Sequence, residues 1–173
     1  MMILSVLLSL VVLVLIVAAL KPDDFRIERS ITIQSPTDSV SALVADFHEW
    51  TKWSPWEGKD PALKRTYSGA ESGVGAKYAW EGNKDVGSGS MEITSRAPEK
   101  IVIKLDFLVP FEAHNTAEFT FVPEGSGTKV TWAMIGKSPF PMKVMGIFMS
   151  MDDMVGKDFV TGLSNMKAAA EKA

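Results

Sequence analysis

From Leu63 to Met134 the chain reads as strand after strand, with connections too short for anything but hairpins. Apolar and polar residues alternate over residues 63–68, 76–81, 87–95, 101–108, 113–122 and 128–135. Turn-forming pairs and runs separate them, among them Gly82-Asn83, Ala97-Pro98 and Glu124-Gly125-Ser126-Gly127. A parallel neighbour needs a crossover of a dozen residues or more, so these strands must be consecutive antiparallel neighbours. A seventh strand precedes them, because Phe25, Ile27, Ile31 and Ile33 share one parity. The fold class expected is therefore α+β, built on one seven-stranded antiparallel sheet.

The rest of the chain must cover one face of that sheet. Ser35-Pro36-Thr37-Asp38 reads as a helix start, with Ser35 as the cap and Asp38 at the positive end of the dipole. Val40, Leu43, Val44 and Phe47 then fall on one helical face. Residues 46–56, DFHEWTKWSPW, form a second short helical segment stopped at Pro55. After Pro139 and Pro141 the pattern is helical to the end, about thirty residues or some 45 Å as one helix. One helix cannot fill the concavity of seven strands, so a cavity is expected between helix and sheet.

Composition matters most at the front. Eighteen of the first 20 residues are apolar, Ser5 and Ser9 being the exceptions, and every charged residue lies beyond them. Residues 2–20 as a helix would rise about 28 Å, close to the thickness of a bilayer's hydrocarbon core. The expectation is a single transmembrane anchor over 1–20 and a ligand-binding domain over 21–173. A cleaved signal peptide, with Val17 and Ala19 as the small pair before the cut, is the alternative. Lys21, Arg26 and Arg29 follow the segment and lean toward a cytoplasmic domain. Without the segment, the apolar share falls to roughly 40%, ordinary for a soluble domain. The net charge of −3 argues against a nucleic-acid partner, and the absence of cysteine removes disulfides and thiolate-held metals.

Several motifs carry a family likeness. They are Trp50, Trp53, Ser54, Pro55 and Trp56, then YSGAESGVGAKYAWEG from Tyr67 to Gly82, VGSGSMEI from Val86 to Ile93 and GTKVTW from Gly127 to Trp132. In these the chain resembles the helix-grip, START and Bet v 1-like (SRPBCC) superfamily, and within it the bacterial polyketide cyclase/dehydrase and lipid-transport family. The likeness covers about residues 25–170. It implies a helix-grip fold and a central cavity for hydrophobic small molecules, and it does not name a substrate.

Inward parity and residue type select the candidate cavity residues Trp53, Trp56, Tyr78, Trp80, Met91, Phe107, Phe119, Trp132, Met134, Phe148, Met151 and Met154. Six of the ten methionines lie beyond residue 141, and their soft side chains suit a wall that repacks around varied shapes. Arg29 and Arg65 sit on the apolar parity of their strands and are candidates to hold a polar head group. His114, near Glu112, is a further candidate for polar ligand contact and the one candidate general base, although its parity is opposite to that of Phe119. Gly73-Val74-Gly75 and Gly87-Ser88-Gly89 lead into strands, so they are not phosphate loops. Asp152-Asp153 reads as a solvated helix face; no metal and no cofactor are expected.

These features favour membrane-tethered binding or transport of a lipid or other hydrophobic small molecule. A cyclase- or dehydratase-like enzyme and a non-catalytic interaction module at the membrane are the alternatives. The oligomeric state is left open.

Overall fold

Hairpin connections place the strands in the order β1-β7-β6-β5-β4-β3-β2, every neighbouring pair antiparallel. The strands are β1 (Asp24–Ile33), β2 (Lys64–Gly69), β3 (Ala76–Glu81), β4 (Ser88–Ala97), β5 (Lys100–Val109), β6 (Ala113–Glu124) and β7 (Gly127–Lys137). This arrangement comes from a computed structural model that describes residues 2–172, with side-chain surroundings given from residue 6. β1 is first in sequence but pairs with the last strand, since α2 (Thr37–Ala45) and a 3₁₀ turn (Glu49–Lys52) carry the chain across the sheet before β2. Strand parity sorts the faces. Ile101 and Ile103, Ala117, Phe119 and Phe121, and Val130 and Trp132 are all buried on the side that the helices cover.

The C-terminal segment is two helices rather than one. α3 (Phe140–Phe148) ends at Met149, and α4 (Met151–Glu171) begins after Ser150, both intervening residues being extended. Ser150 caps the new start, its Oγ accepting from the Asp153 amide at 3.1 Å, with Asp152 and Asp153 in the positive first turn. α4 buries Phe159, Leu163, Met166 and Ala170 as one stripe against the sheet. Gly162 lets it come close: a Cβ there would stand 2.9 Å from both Pro55 and the Trp132 ring. α2 also starts differently from expectation. It has no side-chain cap, and Ser35 instead accepts a hydrogen bond at its carbonyl from the Thr128 hydroxyl.

α1 (Met2–Ala19) packs against α3. Two lysines clasp the pair: Lys21 donates to the Gly146 carbonyl, and the buried Lys143 donates to the Lys21 carbonyl while pairing with Asp23. The transmembrane helix expected over 1–20 is not supported. Among the described residues no helix is long and apolar enough to cross a membrane.

Candidate ligand cavity

A cavity of about 360 Å³ lies between α4 and the sheet. Strands β3 to β7 form one wall, Val155 and Phe159 of α4 the other, and the tryptophan-rich segment after α2 closes one end. The walls are largely aromatic. Trp132 stacks on Phe159 at 4.0 Å and 8°, and Trp56 meets Trp132 edge-on at 5.7 Å. Across the cavity Trp80 stands edge-on to Phe107 at 5.8 Å. Gly89 makes room for that ring, because a Cβ there would lie 2.5 Å from Trp80. The register between β4 and β5 shifts beside Gly89.

One polar cluster borders these walls. The Tyr78 hydroxyl donates to Glu57 Oε1 at 3.2 Å, and Arg65 grips Glu57 Oε2 through Nε at 2.7 Å and through Nη2. Burial pushes the Tyr78 phenol well above its ordinary range, and the Glu57 carboxylate adds to the effect. The phenol therefore keeps its proton throughout the physiological range. Glu57 and Tyr78 both line the cavity; Arg65 stands behind them.

Of the residues selected from sequence, Trp56, Tyr78, Trp80, Met91, Phe107, Trp132 and Met134 line the cavity. Trp53 and Phe119 lie behind that lining, 1% and 0% exposed in the core, with Trp53 fixed by its N–H to the Leu43 carbonyl. Met151 packs half-buried against the core without reaching the cavity. Phe148 and Met154 are on the outside, 73% and 55% exposed. The break at Met149 turns α3 away from the sheet, and α4 turns Val155 and Phe159 inward instead. The methionine-rich wall expected from the C-terminal segment is thus not a cavity wall.

The polar candidates also need correction. Arg29 does not reach the cavity; it pairs with Asp152 of α4 at 2.9 Å. Arg65 reaches it only through Glu57. His114 lies on the outer face of β6, two-thirds exposed, with Nδ1 2.7 Å from Asp106 and Nε2 3.4 Å from Glu112. Alternation along the strand puts it opposite the buried Ala117 and Phe119, so it cannot serve as a base inside the cavity. Glu57 was missed. Its signal was a carboxylate placed directly after Trp56, within a segment whose aromatics had to face inward. Among the described residues no group of three or more potential metal ligands comes together.

The His114–Asp106 pair supplies a pH prediction. The hydrogen bond to Asp106 raises the His114 pKa above 6.5. The stabilising contribution is therefore fully present below pH 6.5 and fades as pH rises through the folded-state value. A histidine titration followed by NMR should show His114 above 6.5 and Asp106→Asn returning it toward 6.5; unchanged titration in that variant would remove the pair's significance.

Comparison with known proteins agrees with this architecture. None of the curated proteins matches the chain. Among solved structures, protein CV1439 from Chromobacterium violaceum is similar, with 15% identity, TM-score 0.60, and coverage of 87% of this chain and 99% of that one. Major latex-like protein 151 from Panax ginseng is 12% identical, with TM-score 0.61 and coverage of 86% and 99%. The di-domain ARO/CYC StfQ from the steffimycin biosynthetic pathway is 14% identical with TM-score 0.62, and 86% of this chain covers 51% of that one. At these identities the likeness is one of fold. The family described as polyketide cyclase/dehydrase and lipid transport matches residues 24–171, and the chain belongs to it.

Proposed function

We propose that this protein binds a lipid or other hydrophobic small molecule in the cavity beneath α4, and does so at a membrane surface. The observation that carries the reading is the cavity itself, about 360 Å³ with aromatic walls and one polar cluster. That volume lies in the range of small-molecule sites, which are mostly apolar with a few placed polar groups. It has room for roughly a dozen non-hydrogen atoms at about 30 Å³ each. StfQ, named as an ARO/CYC protein, shares the fold and leaves a cyclase-like role as the alternative. An interaction module would need no internal volume, and the cavity counts against it.

The membrane part of the proposal rests on residues 1–20, with 21–173 as the binding domain. Leu7, Leu8, Leu10, Leu13 and Ile16 of α1 are each more than half exposed. An apolar surface of that kind marks an interaction site, and a lipid surface suits a helix without charge.

Native mass spectrometry of the gently purified full chain should reveal a bound apolar molecule. A ligand-free protein that also fails to bind added apolar compounds would end the binding reading. Flotation with phospholipid vesicles tests the tether. The wild-type chain should float, and Leu10→Asp/Leu13→Asp should remain at the bottom. Equal behaviour of the two proteins would remove α1 as the attachment.

A further inference from the structure

The indoles of this domain differ in how their N–H groups are used. Trp50 donates to the Val44 carbonyl at 3.0 Å, Trp53 to Leu43 at 2.9 Å and Trp80 to Val86 at 3.3 Å. Trp132 is only 3% exposed, yet among the described residues its N–H has no hydrogen-bond partner. No side-chain nitrogen or oxygen sealed from open space lacks a partner among them, so Nε1 of Trp132 must reach open space. The open space that Trp132 borders is the cavity. Its orientation agrees: Cζ3, on the six-membered ring, is the edge turned toward Gly162 of α4, and the nitrogen lies on the opposite side of the indole. A single donor in an apolar wall is costly to leave unmatched, and a ligand oxygen would match it.

The Tyr78–Glu57 pair has the complementary need. The phenol has one proton, already given to Glu57, while both groups keep free lone pairs. If Tyr78 turns its proton to a ligand, Glu57 Oε1 requires another donor in return. In either arrangement an acceptor is left for a donor from the ligand. Ser54 adds one hydroxyl at the lining that can serve in either sense. Charge is matched elsewhere on the lining. Glu57 is held by Arg65 and Asp158 is paired with Lys59 at 2.8 Å. Among the described residues the one cation on the lining, Lys84, is exposed, and the enclosed walls carry the carboxylates of Glu57 and Asp158 but no cation.

We infer that the cavity selects an uncharged hydrophobic molecule with an oxygen that accepts from Trp132 and a hydroxyl that donates to the Tyr78–Glu57 pair, and that it discriminates against fatty carboxylates. This inference rests on the cavity-binding reading and specifies the ligand's chemical class.

Calorimetric titration of the full chain, kept in amphipol, with five probes of one chain length tests it: decane, 2-decanone, 1-decanol, 10-hydroxy-2-decanone and decanoate. In the wild type the hydroxyketone binds tightest and decanoate weakest. Trp132→Phe keeps a ring against Phe159 but removes the N–H together with the five-membered part of the indole, so decane reports the packing change and 2-decanone weakens roughly fivefold more than decane does. Tyr78→Phe leaves 2-decanone unchanged and, by freeing Glu57 Oε1 for the ligand hydroxyl, tightens the hydroxyketone by a similar factor. If Trp132→Phe binds 2-decanone like the wild type, or decanoate outcompetes the hydroxyketone, the inference is overturned while the cavity reading stands. If the wild type binds none of the five, both fall. An equal loss of decane and 2-decanone in Trp132→Phe, together with no effect of Tyr78→Phe, also overturns the inference, because the residues would then act only by packing.

Discussion

Replacing Phe159 by alanine should lower the unfolding free energy by about 3–5 kcal/mol, the usual cost of deleting a buried phenyl ring. Phe159 is 1% exposed and stacks on Trp132, with Trp56 edge-on at 6.4 Å, so no neighbour is free to collapse into the gap. The ring also lines the cavity, and its loss would join a new void to an existing one. Val160 is the matched control. It is next in sequence but 52% exposed, and Val160→Ala should change stability by less than about 0.5 kcal/mol. Guanidinium unfolding monitored by tryptophan fluorescence reads both. A Phe159→Ala protein as stable as the control would mean that α4 is not locked onto the sheet through this contact.

The second large effect concerns the ligand. Ala117→Phe is expected to reduce the affinity for 1-decanol by at least about tenfold, or 1.4 kcal/mol, with the fold retained. Ala117 is 3% exposed, sits between Ile103 of β5 and Met134 of β7, and lines the cavity. A phenyl ring there takes space that a ligand would use. Filling a void commonly leaves stability unchanged or improved, whereas overpacking costs about 1–3 kcal/mol, so thermal unfolding separates the two cases. Unchanged affinity in a folded variant would place the ligand outside this cavity.

These two positions differ in how plainly they could be read beforehand. Phe159 belongs to a helical stripe, and Ala117 shares the parity of Phe119 and Phe121, so periodicity alone turns both inward. The same reasoning put His114 on the outer face of β6, where it lies. It failed where periodicity continued across a break. Nothing in the apolar spacing of residues 140–166 announced that the chain would be extended at Met149 and Ser150, so Phe148 and Met154 were assigned to a wall from which they are absent. Trp53 and Phe119 show a milder failure. Parity separates inside from outside, but it does not separate a side chain that borders open space from one packed behind it.

Arg65 and Glu57 mark the remaining limit. A cation on the apolar parity of β2 was readable as a candidate partner for a polar head group. That its partner is a carboxylate eight residues earlier, and that Tyr78 joins them, depends on how the segment after Pro55 folds back over β2 and β3.

The sequence by itself determined the antiparallel hairpin strands and the side each strand residue faces, whereas the pairing of β1 with β7 and the break between α3 and α4 came from the tertiary structure. Short connections and two-residue alternation are local constraints, and local constraints are written residue by residue. Only the tertiary structure decided which inward groups pack together, which leave a space of about 360 Å³, and which polar atoms face that space. Those outcomes depend on small differences in distance between elements far apart in the chain, such as the closeness that Gly162 allows α4 and the room that Gly89 leaves for Trp80.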